Sequence, residues 1–459
     1  MPLAVLACLA YVSMALPDSV MGIVWPAMRT DLHQPLGALG LLLPFGLGAA
    51  VLSSSMTGRI LARTHIGGLL AGSTALSAAA ILGYSLAPSL WAVIAATVLL
   101  GLANGAVDGG LNAHAARHFG ARHLTWMHAS YGLGAVAGPA IATAALSAGV
   151  HWRWTYALIA AVQTALAYAF VRSAHRWADG LRTDALHTDA LHTDASRTDA
   201  SRTDASRTDA SRTDASRTGA SCTDASPADA SVDGPRREGP RPDAPPAETR
   251  AARAKARTAR TERTVRGGPR SGALRAALST VVFFLQTGIE ASASLWMYVF
   301  LTTGHGVSPG AAGVAVSAYW ATMFAGRVVL GPVAERVGAA PVLAAAVTGI
   351  AAGAALTAVP VPGPPYLALC GLLILGLASA PAFPLLVLTT AGRAGPERAD
   401  RTVGLRVAAS KVGIAALPSG TGLLIQEYGP TALGPALLAP ALVLAAAYAA
   451  LVRPVARSA

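Results

Sequence analysis

The sequence predicts an all-α integral membrane protein with twelve transmembrane helices in two pseudo-symmetric six-helix bundles, joined by a long disordered cytoplasmic central loop. The composition is the first reason: 53% of the residues are hydrophobic and only 13% are charged, whereas a soluble domain has about a quarter charged residues. The second reason is that the apolar runs are about 20 residues long, enough to cross about 30 Å of hydrocarbon. The third is an internal repeat that relates the two halves of the chain.

Twelve spans follow from the apolar runs. They cover residues 3–25, 36–58, 66–86, 89–112, 124–147, 153–172, 275–302, 309–332, 340–358, 365–390, 402–425 and 430–452. The first run has some features of a secretory signal peptide. It lacks a basic start and continues past Asp18 to Trp25, so we interpret it as the first membrane helix.

Basic residues mark one set of alternate connectors, and the other set holds little beyond Arg29 and Arg153. Because basic connectors stay on the cytoplasmic side, we expect both termini and the central loop in the cytoplasm, and the plasma membrane as the location. The net charge of +12 comes from these connectors and the central loop, so it does not indicate nucleic-acid binding. The basic set consists of Arg59, Arg63, Arg117, Arg122, Arg336, Arg393, Arg398, Arg401, Arg453 and Arg457.

Residues 173–273 form a low-complexity segment between the two halves. It begins with tandem five-residue units such as SRTDA, and after Pro235 it becomes rich in proline, alanine and arginine. A segment without an apolar face cannot bury enough surface to offset the entropy of ordering it, so a disordered linker is predicted. The expected domains are therefore an N-terminal bundle over 1–172, this linker, and a C-terminal bundle over 274–459.

The repeat consists of four matched pairs that lie 272 to 279 residues apart and keep the same order. A duplicated six-span unit predicts two bundles related by an axis along the membrane normal, with a central site between them. The pairs are Asp18 with Glu290, Gly58 with Gly331, LLGLANG from Leu99 with ILGLASA from Ile374, and GAVAGP from Gly134 with GIAALP from Gly413.

Two six-span halves and the loop motif after span 8 resemble the major facilitator superfamily. The motif reads GPVAERVGAA, with Gly331, Glu335, Arg336 and Gly338, and is similar to the Gly-x-x-x-Asp-Arg-x-Gly signature of that superfamily. The resemblance implies transport by two bundles that move about a central site. It also implies that these loop residues help to close the cytoplasmic side.

The matching loop after span 2 departs from the signature. It reads GRILARTHIG and keeps Gly58 and Arg63, but Ala62 stands where the acid is expected. The N-terminal part of the cytoplasmic charge relay is therefore incomplete. In span 5, Gly138 and Pro139 permit a close helix contact and a bend. They also resemble part of the Gly-x-x-x-Gly-Pro motif of drug and proton antiporters.

Within the superfamily, the chain most resembles the fucose-permease-like sugar and proton symporters. The resemblance lies in Asp18 before Trp25-Pro26 in span 1, Asp108 and Asn112 in span 4, MHASYGLGAVAGP in span 5, and QTGIEASASLWMY, with Gln286 and Glu290, in span 7. It implies that the acids of spans 1 and 4 couple protons to the substrate. It also implies that spans 4, 5, 7 and 8 line a sugar site, with Asn112, Gln286 and Glu290 as candidates.

The depth of each acidic residue within its predicted span also bears on its role. Asp18 lies about 15 residues, or roughly 22 Å, into span 1, where a carboxylate must be neutral, paired or hydrated. Asp108 and Asn112 are four residues apart and share one helix face. The alternative for Asp18 is a structural hydrogen bond, and for Asp108 it is an interfacial pair with a nearby arginine or histidine. We expect Glu290, the counterpart of Asp18, to be a third proton-coupling candidate.

Lys411 is the only lysine in a predicted span, so it is the expected partner of Glu290. Such a pair would act as a static brace or as a gate that breaks on protonation. His128 is a candidate proton relay and substrate contact, or else an ordinary interfacial histidine. Trp296 and Tyr319 are candidate sugar-stacking residues, with helix packing as the alternative.

These observations predict a secondary transporter that imports a sugar or similar small polar solute with protons by alternating access. Drug or metabolite efflux by proton antiport is one alternative, and a non-transporting sensor that signals through the linker is another. We expect a monomer that binds its small-molecule substrate and protons within the lipid bilayer, without nucleic acid, cofactor or metal. The sequence shows no nucleophile–base set of the kind that would indicate an enzyme. The histidine cluster His114, His118 and His123 lacks a carboxylate, and the three cysteines show no pairing pattern.

Overall fold

The computed structural model describes residues 3–118, 121–174, 269–360, 363, 365–394 and 396–452. All regular secondary structure within these ranges is helical, and twelve of the helices are long and apolar enough to cross a membrane. The predicted number of spans is confirmed. The helices are α1 (Leu3–Asp31), α2 (Leu39–Leu61), α3 (Ile66–Leu86), α4 (Leu90–His118), α5 (Ala121–Ser147), α6 (Trp152–Ala174), α7 (Pro269–Val299), α8 (Pro309–Val337), α9 (Ala339–Ala358), α10 (Tyr366–Ala394), α11 (Pro396–Tyr428) and α12 (Leu433–Val452).

The two halves repeat the same helix-to-helix contact. A Cβ atom on Gly134 of α5 would collide with the carbonyl oxygen of Val12 in α1, and a Cβ on Gly413 of α11 would collide with that of Phe284 in α7. In both halves, a glycine lets two helices approach until one backbone touches the other. The pair α1–α5 is therefore the structural counterpart of α7–α11, as the sequence repeat predicts.

One end of the bundle, which we call the closed end, carries the α1–α2, α7–α8 and α11–α12 connections. There the Ser419 hydroxyl of α11 donates a 2.6 Å hydrogen bond to the carbonyl of Gly40 in α2. The Gln426 side-chain oxygen accepts a 3.2 Å bond from the Gly37 amide. Gly22 of α1 lies against the backbone of Leu295 in α7. The two halves thus meet through closely packed glycines at this end.

The opposite end, which we call the open end, carries the α2–α3 and α8–α9 connections. A Cβ placed on Gly58, Gly331 or Gly404 would find no atom within 4 Å. The loop motif ends at Gly338, whose φ of 93° lies in the left-handed region that favours glycine. Its amide donates to the Ala334 carbonyl at 3.0 Å and so ends α8. Within the described part of the chain, these three glycines therefore have open space beside them, and no glycine contact between the halves like those at the closed end is present among them.

A polar tie joins the end of α1 to the beginning of α6. Trp152 Nε1 donates a 2.8 Å hydrogen bond to Asp31 Oδ2, and His151 Nε2 lies 2.9 Å from the same oxygen. The Arg153 guanidinium lies 4.6 Å above the Trp152 ring and donates to the Ser85 carbonyl at 2.9 Å. The six-residue continuation of α1 beyond the predicted end at residue 25 is thus anchored.

The linker predicted over 173–273 falls almost entirely outside the described residues, so its disorder stays a prediction. The same holds for the bundle boundaries at 172 and 274, and for the basic tail beyond residue 452. The membrane spans themselves agree with the predicted ones to within a few residues at most ends.

Candidate functional site

Asp18 faces the space between the two halves. Its neighbours Pro17 and Ser19 on α1 are buried, whereas Asp18 itself is exposed although it lies near the middle of a membrane helix. The close contact of Gly138 in α5 with Ser19 brings α5 alongside. As a result, the hydroxyl of Tyr131 lies 3.5 Å from Asp18 Oδ2, to which it donates a long hydrogen bond.

Glu290 of α7 occupies the equivalent place in the other half and has a more complete set of partners. Gln286, one turn earlier, donates to Glu290 Oε2 at 3.0 Å, and Arg327 of α8 lies 3.9 Å from Oε1. The Tyr319 hydroxyl donates to the Glu290 backbone carbonyl at 3.3 Å. These contacts fix the carboxylate beside a guanidinium.

Lys411 has no carboxylate within ion-pair distance in the described part of the chain, so the predicted Glu290–Lys411 contact is wrong. Arg327 lies beside Glu290 instead. Lys411 is exposed and is close enough for its charge to act on Asp18 across the boundary between the halves. The gating role of Lys411 stays a prediction, with Asp18 rather than Glu290 as the acid on which its charge acts.

These side chains form one group, which we call the central cluster: Asp18, Tyr131, Glu290, Arg327 and Lys411. The charges of Asp18, Glu290 and Arg327 all act on the Tyr131 hydroxyl, so residues from α1, α5, α7 and α8 lie near one another. Lys411 adds α11 to the group. The cluster thus places two acids and two cations from both halves around a common space.

Asp108 and Asn112 form a second polar group in the N-terminal half. Asn112 Nδ2 donates to Asp108 Oδ1 at 2.9 Å, and the Tyr11 hydroxyl donates to the same oxygen at 3.0 Å. The predicted shared helix face of Asp108 and Asn112 is therefore observed. Tyr11 precedes Asp18 by seven residues on α1, which places this group roughly 10 Å from Asp18.

The two predicted aromatic contacts belong to the packing. Trp296 is fully buried and donates its indole N–H to the Pro418 carbonyl at 2.9 Å, so it joins α7 to α11 and presents no free ring face. Tyr319 is also fully buried and holds the Glu290 backbone. In this structure Trp296 therefore has no surface accessible to a solute, and Tyr319 positions the Glu290 backbone. The side chain of His128 lies outside the described residues.

The predicted gating residues lie in two places. Gly138, with Pro139 after it, packs against α1 beside Asp18. The loop residues lie at the open end and are exposed: Gly58, Arg63, Gly331, Glu335 and Arg336. Their part in gating stays a prediction.

An apolar groove of about 750 Å³ lies between α11 and α12 with Phe284 of α7 at its edge. No charged side chain lines it, and its polar side chains are the hydroxyls of Thr421, Tyr428 and Thr431, so it offers no group that could couple a proton to a solute. Among the described residues, no group of three or more metal-ligating side chains is present. The central cluster is the better candidate site.

The sequence matches the profile of the Major Facilitator Superfamily over residues 7–201 and 276–459. This chain belongs to the major facilitator superfamily. It is therefore a multi-pass membrane transporter by family, and its described residues include twelve helices of membrane-spanning length. No curated protein sequence matches this superfamily member.

Solved structures similar to this superfamily member agree on the fold. A variant of the nucleoside transporter NupG has a TM-score of 0.65 at 12% identity, covering 98% of this chain and 100% of its own. A D-xylose-proton symporter has a TM-score of 0.65 at 12% identity, with 96% of each chain covered. A bacterial homologue of the lysosomal transporter Spinster, in an inward-facing conformation, has a TM-score of 0.59 at 12% identity, with 98% and 94% covered.

Sequence reasoning on this superfamily member missed Tyr131 and Arg327 as site residues. Arg327 lies inside the predicted span 309–332, and an ionisable residue within a span is a site candidate by default. Tyr131 had no comparable signal, because a tyrosine in a membrane helix is common in packing and at interfaces.

Proposed function

We propose that this protein is a secondary active transporter of the plasma membrane that moves a sugar or similar small polar solute together with protons. It works by alternating access, and its termini and linker lie in the cytoplasm. The observation that carries the proposal is the central cluster, in which the exposed acid Asp18 of one half lies opposite the exposed cation Lys411 of the other.

Proton coupling follows from the position of Asp18. A charged carboxylate at this depth costs at least a few kcal/mol unless it is hydrated or paired, and the hydrogen-bond donor beside it is the neutral Tyr131 hydroxyl. A proton on Asp18 removes both this cost and the attraction to Lys411 across the two halves. Because the attraction depends on how the halves are arranged, protonation biases their equilibrium.

The uncharged groups near the cluster suit a hydroxylated solute. Gln286 Oε1 and Trp320 Nε1 are buried and have no hydrogen-bond partner within the described residues. Trp320 shares a face of α8 with Arg327, seven residues further on. An unpaired buried donor and acceptor cost free energy unless a bound group satisfies them, and sugar hydroxyl groups can do both.

The basic connectors support an orientation with the open end toward the cytoplasm. Arg59 and Arg63 flank the α2–α3 connection, and Arg336 ends α8 at the same end. By the positive-inside bias, the conformation described above is closed to the outside and open to the inside. A solute held at the central cluster would then be released into the cell.

The test is uptake by proteoliposomes with an imposed pH gradient, using a panel of sugars and cationic dyes. We expect accumulation of a sugar-class solute when the outside is acidic. Asp18→Asn should abolish accumulation while leaving solute exchange without a pH gradient intact. Glu427→Gln, which neutralises an exposed acid near the end of α11, is the matched control. Normal accumulation by Asp18→Asn would refute the proton role, and dye export driven by an acidic interior would favour the antiport alternative.

A further inference from the structure

We propose that the transported solute carries a single carboxylate group, and that Lys411 is the residue that receives it. This inference rests on the proposed function and specifies its substrate class. It starts from the geometry of α11 and from the balance of charge in the central cluster.

The side of α11 that carries Lys411 faces the space between the halves. Gly422 lies 11 residues further on, about three turns, and therefore points within roughly 20° of Lys411. The nearest atoms to a Cβ on Gly422 belong to Trp296 of α7 and to the Gly37 backbone of the other half, just before α2. Lys411 projects from the same side nearer the open end, where it is exposed.

Among the charged side chains of the central cluster, Lys411 is the cation that is free to bind an anionic solute. Glu290 and Arg327 are 3.9 Å apart and largely neutralise each other. Asp18 is the acid on which the charge of Lys411 acts. The other titratable groups that face Asp18 are the hydroxyls of Tyr131, Tyr84 and Tyr156, from α5, α3 and α6.

Charge balance then connects the proton to the solute. With both acids ionised, the four charged side chains sum to zero, whereas a proton on Asp18 leaves one net positive charge beside Lys411. A monoanion is bound more tightly in that state, and by reciprocity the bound anion favours the proton. One proton and one monoanion cross together with no net charge.

A carboxylate fits this balance better than a phosphate ester, because a dianion would leave one negative charge uncompensated within the membrane. The ammonium group of lysine is a compact charge with three donors, which suits one carboxylate end. The unpaired Gln286 oxygen and Trp320 N–H then remain for hydroxyl groups. The solute class is therefore a hydroxylated monocarboxylate, such as a sugar acid.

The test compares glucuronate with glucose, which differ in having a carboxylate or a CH₂OH group at one carbon. In proteoliposomes with an acidic exterior, we expect kcat/KM for glucuronate to exceed that for glucose by about ten-fold or more, the scale of one desolvated charge contact. Lys411→Gln should remove this preference mainly through KM, and Lys411→Arg should keep most of it. A potential of either sign, imposed with potassium and valinomycin, should leave glucuronate uptake unchanged.

Each opposite result would overturn the inference. Proton-driven glucose uptake that glucuronate neither matches nor inhibits would leave the proposed function in place and refute the carboxylate. Unchanged preference in a folded Lys411→Gln protein, verified by its size-exclusion profile and melting temperature, would refute the role of Lys411. Uptake of both solutes that ignores the pH gradient, or no uptake of either, would reject the proposed function as well.

Discussion

Replacing Gly22 by alanine should shift the protein away from the conformation described here. The new Cβ would collide with the Leu295 carbonyl oxygen and lie only 3.2 Å from its carbonyl carbon. Both obstacles are backbone atoms, so neither can rotate away. Overpacking of this kind costs about 1–3 kcal/mol, and only in the state in which the closed end is closed. The equilibrium between the two access states should therefore move roughly 5- to 150-fold toward the state that opens there.

The assay is double electron–electron resonance between spin labels on the two halves at the closed end. Thr30→Cys on α1 and Glu427→Cys on α11 are both exposed sites for the labels, in a background without Cys8, Cys222 and Cys370. We expect the parent protein to give mainly the shorter distance. Gly22→Ala should add or favour a longer one.

Gly48→Ala is the matched control, because its Cβ would have no neighbour within 4 Å and should leave the distance distribution unchanged. The reasoning fails if Gly22→Ala gives the same distribution as the control. It also fails if the distribution broadens equally when labels are placed within one half, since that would mean unfolding rather than reopening.

Two further predictions concern stability. Gly134→Ala should lower the free energy of unfolding by about 1–3 kcal/mol, because its Cβ meets the Val12 backbone. Gly58→Ala, whose Cβ has no neighbour, is the control and should not lower it. Equal melting temperatures of the two variants in detergent would contradict this prediction. Arg327→Gln leaves Glu290 unpaired and should cost less than the about 3–5 kcal/mol of a fully buried pair, since the two side chains are 31% and 19% exposed. Adding Glu290→Gln should recover most of the lost melting temperature, and additive losses would argue against the pair.

The architecture could be predicted from the sequence because the bilayer restricts the secondary structure that a spanning segment can form. Apolar runs of the length of the membrane must be helices, and all twelve were located. The duplicated order of motifs predicted the α1–α5 and α7–α11 counterparts that Gly134 and Gly413 display. The ends of the helices were harder to predict. α1 continues through Pro26 to Asp31. Hydrogen bonds from Trp25 to the Leu36 carbonyl and from Trp152 to the Asp31 carboxylate stabilise its last turns.

The site was accessible only in part, because depth in a span can be counted from sequence but rotation and neighbours cannot. Asp18 and the pair Asp108–Asn112 followed from depth and from spacing along one helix. The partner of Glu290 did not, since Arg327 comes from a helix whose rotation depends on tertiary packing. Trp296 was misassigned because the sequence alone does not distinguish an aromatic ring in a cavity from one packed between helices.

The tie between Asp31 and Trp152 has a mechanical consequence. Trp152 is buried and packs edge-on against Tyr156 of the same helix at a centroid distance of 6.3 Å, so its indole N–H holds the Asp31 carboxylate of α1 from a fixed position on α6. Helix α1 also carries Asp18 at mid-membrane. A tilt of α1 therefore either carries the beginning of α6 with it or breaks this hydrogen bond, which favours movement of the two helices together. A displacement of α1 at Asp18 is then shared with α6 at the closed end of the bundle.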